Sequence, residues 1–397
     1  MSAGNIDFPI YDVDNHMYET VDAFTKFLPR EYAGLIKYVE VKGRTKVAIK
    51  NTVSDYIPNP TFEVVARPGA QQDYFKHGNP EGKSRREIMG EPMRSIDAFF
   101  APEPRLALMD ELGIDRAIMW PTLASLLEER LSDDPRATHA VVHAFNQWMH
   151  EHWTFNFQDR IYPTPVITLP IVDRAIEELE WVVSRGARII LIRPAPVPGY
   201  EGTRSFALPE FDPFWQKVVE ADVAVGMHSS DDGMTRYINV WEGRRGEYQA
   251  FGVQSAFEDA FRYQHRGIHD AMLSAVCHGL FTRFPSLRVL PVENGSMWVA
   301  PLLELLNRTY AMNPRLFEEE PVGVFKRNVW VHPFHEDDPM DVVRLIGADR
   351  VLFGSDYPHP EGLELPRSYI ERLQDLPHDE IARIMGGNLA EVMRFAA

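Results

Sequence analysis

The chain has 397 residues and is 45% hydrophobic, enough apolar material for a large buried core. Lys and Arg total 41 against 58 Asp and Glu, a formal charge of −17 with no long run of one sign, which argues against nucleic-acid and anionic-membrane partners. No stretch reaches the roughly 18 apolar residues of a membrane span, the start lacks a signal-peptide pattern, and Cys277 stands alone, which excludes a multi-cysteine metal site. The expectation is a soluble, cytoplasmic protein in which His and carboxylates hold any metal. Cys277, in an apolar run, reads as a small buried hydrophobe.

Eight short apolar, β-branched runs recur along the chain, at 9–13, 116–120, 162–169, 188–193, 223–228, 288–293, 328–332 and 351–355. Several are apolar at consecutive positions, as parallel strands covered on both faces must be. Helical patterns alternate with them at 104–112, 135–155, 172–184, 209–221, 298–312 and 339–346, and two more follow at 367–374 and 379–395. The alternation predicts an α/β fold, a (β/α)8 TIM barrel forming one domain over 1–397. An open doubly wound sheet is the alternative, but no G-x-G-x-x-G follows the first run.

Two segments break the rhythm. Residues 29–92 are rich in Pro, Gly, Tyr and mixed charge, with a hairpin expected at 42–53, and read as an insertion after the first strand. Residues 229–267 hold Gly233, Gly243, Gly246, Tyr237, Trp241, Tyr248, Phe251, Phe257, Phe261 and Tyr263. An aromatic-rich insertion after the fifth strand suggests a lid or a subunit contact.

In such a barrel the chemistry gathers at the carboxyl ends of strands. The first run leads into Asp14 and His16, which alternate by two and so share a face. His228 ends the fifth run and Asp356 follows the eighth. Each alone is compatible with a core histidine or a turn aspartate. Together they place two imidazoles and two carboxylates at strand ends of one polarity, a ligand set for one divalent cation with a position left open. Such a set suits zinc, manganese or iron(II), and ligand type alone does not choose among them.

The segments at 12–19 (DVDNHMYE), 109–121 (MDELGIDRAIMWP), 281–288 (FTRFPSLR), 351–359 (VLFGSDYPH) and 387–393 (GNLAEVM) resemble one branch of the amidohydrolase superfamily. That branch, often labelled amidohydrolase 2, contains aminocarboxymuconate-semialdehyde decarboxylase and the resorcylate-type decarboxylases. The resemblance spans nearly the whole chain. It implies a single divalent metal held by an H-x-H or E-x-H pair, a His after strand five and an Asp after strand eight. His16, His228 and Asp356 match, and Asp14 stands where better-studied members have His or Glu.

A second departure is Glu293, at the end of the sixth run, where the decarboxylases keep a catalytic His. It could act as general base, bind the metal or hold a neighbouring Arg. The expected catalytic residues are therefore Asp356, Glu293 and His228. Arg193 could fork onto a substrate carboxylate or pair with an acid. His278, His332 and Trp120 are further pocket candidates, Tyr18 is pocket wall, and Glu19, His359 and Glu361 could orient ligands. The reading is a metal-dependent decarboxylase of a mid-sized aromatic or carboxylated small molecule. Metal-dependent hydrolysis is the alternative, a non-catalytic ligand-binding barrel the second, and a homodimer or larger homo-oligomer is expected.

Overall fold

The computed structural model describes residues 6–54, 57, 59–199, 202–245 and 255–395. Its central strands are β1 (Tyr11–Met17), β2 (Arg116–Pro121), β3 (Ile161–Pro163), β4 (Ile189–Leu191), β5 (Ala224–His228) and β6 (Val289–Val292). They form two three-stranded parallel sheets, β1-β2-β3 and β4-β5-β6. Isolated parallel bridges connect the runs between and beyond them: Val166 to Leu191, Val289 to Val329, Val331 to Val351, and Tyr357 back to Asn15.

One regular closed sheet was expected, and the regular ladders do not close. The third run is cut to three residues because Pro163 and Pro165 have no amide hydrogen to give a ladder. The seventh and eighth runs carry bridges only.

Helices flank these strands: α1 (Pro102–Leu112), α2 (Pro135–Trp153), α3 (Val172–Val183), α4 (Asp212–Glu220), α5 (Met234–Glu242), α6 (Ala256–Arg262), α7 (Arg266–Cys277), α8 (Val299–Met312), α9 (Pro321–Asn328) and α10 (Pro339–Ile346). The two C-terminal helices depart from expectation. The first is a 3-10 helix, Pro366–Leu373. The second widens at Arg383–Gly387, where a Cβ on Gly386 would lie 2.5 Å from the Pro9 carbonyl oxygen. Cys277 is exposed at the end of α7 rather than buried, because the helix stops there.

The hairpin expected at 42–53 is the antiparallel pair Arg44–Ile49 and Thr52–Ser54, and a preceding turn at Lys42 and Gly43, both with positive φ, adds Ile36–Val41 as a third strand. Farther on, Gly69 N and Gln71 N donate to the carbonyls of His359 and Pro360, docking this segment beside the eighth run. After β5, Tyr237, Trp241, Phe257 and Tyr263 are exposed on or beside α5 and α6, whereas Gly246, Tyr248 and Phe251 lie outside the described residues. Among the described residues, no helix is long and apolar enough to cross a membrane.

Inside the strands, Trp120 is fully buried, and its indole N–H donates to the Val13 carbonyl at 2.7 Å. Its ring lies against Gly226 of β5, where an added Cβ would come within 2.0 Å of ring carbon Cη2. Glycine at 226 is thus required by the indole that floors the site. We expect Gly226→Ala to lower the unfolding free energy by about 1–3 kcal/mol in a urea titration. Unchanged stability would show that the indole moves freely.

Candidate active site

The site is built from the end of β1. The β1–β2 register shifts between Asp12 and Asn15, and the buried Asp12 carboxylate spans the irregularity, accepting Asp14 N at 3.0 Å and Asn15 Nδ2 at 2.9 Å. Asp12 also accepts Ser355 N at 2.9 Å and Ser355 Oγ at 2.5 Å, which ties β1 to the eighth run. Arg105 of α1, itself buried, donates to Ala98 O at 2.7 Å, His16 O at 2.7 Å and Asn15 Oδ1. Burial pushes the Asp12 carboxyl up to about 7 and the Arg105 guanidinium down to about 10.

So clamped, Asp14 and His16 face His228 and Glu293. His16 Nε2 and His228 Nε2 are 3.1 Å apart, and each is 3.3 Å from Asp14 Oδ1. Glu293 Oε2 lies 3.0 Å from His228 Nε2 and 3.6 Å from His16 Nε2. A tetrahedron with metal bonds of about 2.0–2.1 Å has edges of roughly 3.3–3.4 Å, close to the five donor separations that involve the two imidazole nitrogens. His228 Nδ1 is 2.8 Å from the Ser229 carbonyl, which can only accept, so in the neutral ring Nε2 carries the lone pair. Asp14 Oδ2 is buried without a hydrogen-bond partner. These residues fit a divalent metal.

The electrostatics agree. Burial penalises every charge here, yet the Glu293 charge and the Asp14 hydrogen bond push the His228 imidazole up to about 10. Against the same penalty, His228 and His16 hold Glu293 down at about 2 and Asp14 well below the usual carboxylate range. Two carboxylates therefore demand positive charge between them, from protons on the histidines or from a cation.

Asp356 sits differently from the expected ligand. It has positive φ, its N–H donates to Asp14 O at 2.7 Å, and its Oδ1 is 2.8 Å from His359 Nδ1 and 3.4 Å from His16 Nε2. Burial, then the charges of Glu293 and Asp14, raises Asp356 well above its ordinary value, while burial and His16 lower His359. The two groups face each other at hydrogen-bonding distance. The donors fall into two overlapping groups, Asp14, His16, His228 and Glu293, and His16, Glu293, Asp356 and His359. Glu293 and His16 belong to both.

Of the other candidates, Trp120 reaches the site, its ring centroid 5.0 Å from that of His228. His332 does too: its Nδ1 accepts Glu293 N at 3.2 Å and lies 3.5 Å from Asp14 Oδ2, and burial lowers its pKa. Arg193 lies two residues beyond the Leu191–Gly226 pair and therefore level with His228, but it is paired with Glu129 at 3.2 Å and also faces Glu128. It is thus ion-paired rather than free, and Glu129 is shared with Arg236. The structure removes His278 from the pocket: it is exposed after α7, at the amino end of β6, with Nδ1 3.0 Å from Ser274 Oγ. Glu19 does not orient His16; it accepts Leu123 N and Ala124 N at 2.7 and 3.1 Å. Tyr18 stacks on Phe62, and burial raises Glu361 to about 7.

Sequence reasoning missed Asp12, Arg105 and Thr122. Asp12 was open to discovery, because it shares the alternation of Asp14 and His16. Thr122 follows the end of β2, a position the search of strand ends could have reached. Its hydroxyl contacts both His16 and His359. Nothing local marks Arg105, whose partners at the site, His16 and Asn15, are 89 and 90 residues away.

Comparison with known proteins places this geometry among relatives. The family model described as amidohydrolase matches residues 91–395. The chain is similar to the crystal structure of an amidohydrolase from Mycobacterium avium subsp. paratuberculosis K-10, with 37% identity, 98% of each chain covered and a TM-score of 0.92. It is 24% identical over 271 residues to gamma-resorcylate decarboxylase from a Polaromonas species, covering 64% of this chain and 76% of that protein. A 5-carboxyvanillate decarboxylase from Novosphingobium aromaticivorans, crystallised with manganese and a nitrobenzoic acid, shares the fold at 16% identity, with 98% and 97% of the chains covered and a TM-score of 0.58.

If the first donor group holds the ion, Glu293→Gln should weaken Mn2+ binding by at least ~10-fold, read by titration against a chelator. Asp356→Asn should stay within about 3-fold of the parent, since the removed oxygen is not a ligand. The reverse order would assign the ion to the second group.

Proposed function

The chain belongs to the amidohydrolase family, and from that premise we propose that it is a metal-dependent carboxy-lyase removing CO2 non-oxidatively from a mid-sized aromatic acid. The observation that carries this reading is a four-donor cluster able to hold a metal, lying directly beside the hydrogen-bonded carboxyl–imidazole pair of Asp356 and His359. The names of the relatives support it, two of them decarboxylases of aromatic acids.

Asp14, His16, His228 and Glu293 would hold the ion, a divalent cation. Manganese is favoured by its presence in the 5-carboxyvanillate decarboxylase crystal, and zinc suits the same nitrogen and oxygen donors. When bound, the ion supplies positive charge for substrate oxygens. Asp356 gives its proton to the ring carbon bearing the carboxylate. The bond to that carboxylate breaks, its electron pair restores the ring, and CO2 leaves. Asp356 is left as a carboxylate until solvent returns the proton. The Trp120 indole floors the pocket and excludes water from beneath.

One observation favours a second reading. With Arg193 ion-paired to Glu129, the charges of Asp14 and Glu293 would cancel one divalent ion, leaving no surplus among the ligands to attract an anionic substrate. A neutral ester or amide avoids that difficulty, and Asp356 would then take a proton from an attacking water.

The test is a panel assay of manganese-loaded protein, with CO2 release from hydroxybenzoic acids followed beside ester and amide hydrolysis. Decarboxylation of at least one acid is expected, and Asp356→Asn should lower its kcat by about 10²–10⁴-fold without loss of metal. Hydrolysis without any CO2 release would replace the first reading by the second.

A further inference from the structure

We propose that Thr122 is a positioning residue whose single hydroxyl sets the tautomers of His16 and His359, aiming one imidazole lone pair at the metal cradle and the other at Asp356. The proposal rests on the metal reading of the cradle and goes beyond it. Thr122 is largely buried just after β2. Its Oγ1 lies 3.0 Å from the Met17 carbonyl, 3.2 Å from His359 Nε2 and 3.5 Å from His16 Nδ1.

A hydroxyl has one hydrogen, and a carbonyl can only accept. The Met17 carbonyl can make its 3.0 Å contact only by accepting, so the hydroxyl hydrogen points to it. The oxygen then turns lone pairs towards the two imidazoles, each of which must supply its own N–H. In the neutral rings, His16 thus carries its proton on Nδ1 and His359 on Nε2. The remaining nitrogens, His16 Nε2 and His359 Nδ1, are the atoms that face Asp14 and Glu293 in one case and Asp356 in the other.

The two rings are packed together, centroids 4.0 Å apart and tilted by 34°, so one oxygen can serve both. Met17 is the residue after His16 on β1, and its carbonyl orients the hydroxyl. The strand that supplies the ligand therefore also supplies the group that fixes its proton. Removing the hydroxyl while keeping the shape would let either ring take its other tautomer, which in His16 points an N–H at the cradle and in His359 points one at Asp356.

The experiment measures Mn2+ affinity of Thr122→Val and Thr122→Ser by chelator competition, without substrate, together with thermal unfolding of the metal-free proteins. Thr122→Val should bind at least 10-fold more weakly, while Thr122→Ser, which keeps the hydroxyl, should stay within about 3-fold of the parent. Equal affinity in Thr122→Val overturns the proposal. So does a Thr122→Ser variant that is folded but as weak as Thr122→Val, because packing would then be the cause. Should Thr122→Val fail to fold, Thr122→Ala replaces it under the same criteria. A parent protein that binds no Mn2+ or Zn2+ would instead remove the metal reading itself, a separate failure.

Discussion

The structure depends on a confrontation of buried acceptors. Two imidazole nitrogens 3.1 Å apart stand between carboxylates of Asp14 and Glu293, with Asp14 Oδ2 left unpartnered. Buried lone pairs facing one another at these distances are unfavourable unless positive charge lies among them. Protons on both histidines would meet that demand at the cost of two buried imidazolium ions in contact. One divalent cation meets it with donors already spaced as ligands.

Holding such a set in place requires rigid backbone, and the chain provides it without a continuous sheet. Asp12 bridges the β1 irregularity to the eighth run, Arg105 anchors the carbonyl of His16 from α1, and Trp120 fills the space above Gly226. The buried cation and anion communicate through Asn15 rather than by direct contact, and backbone, amide and hydroxyl groups meet their hydrogen-bonding needs. The positive φ of Glu293 and Asp356 shows where the sixth and eighth runs leave extended geometry to turn carboxylates inward.

Much of this was legible in the residues. The alternation of Asp14 and His16 and the strand-end positions of His228 and Asp356 follow from period-two geometry, and the structure brings all four together. What pattern could not supply was the division of labour. Glu293 and Asp356 are both carboxylates just after strands, and only their distances separate them: one lies 3.0 Å from His228, the other 2.8 Å from His359. Arg193 looked like a substrate anchor because its ion pair with Glu129 comes from a different strand–helix connection. His278 was misplaced because closeness in sequence to β6 says nothing about which end of the strand a residue approaches. Closure of the sheet was over-predicted where prolines and left-handed turns interrupt otherwise apolar runs.

The account makes Glu293 a ligand and Asp356 a proton carrier, an exchange of the roles that motif reading alone suggests. Anomalous diffraction from crystals grown with Mn2+ tests it most directly. The predicted result is one strong peak about 2.0–2.2 Å from Asp14, His16 Nε2, His228 Nε2 and Glu293, with Asp356 still hydrogen-bonded to His359. A peak bonded to Asp356 with Glu293 out of reach, or no peak at saturating metal, would contradict it.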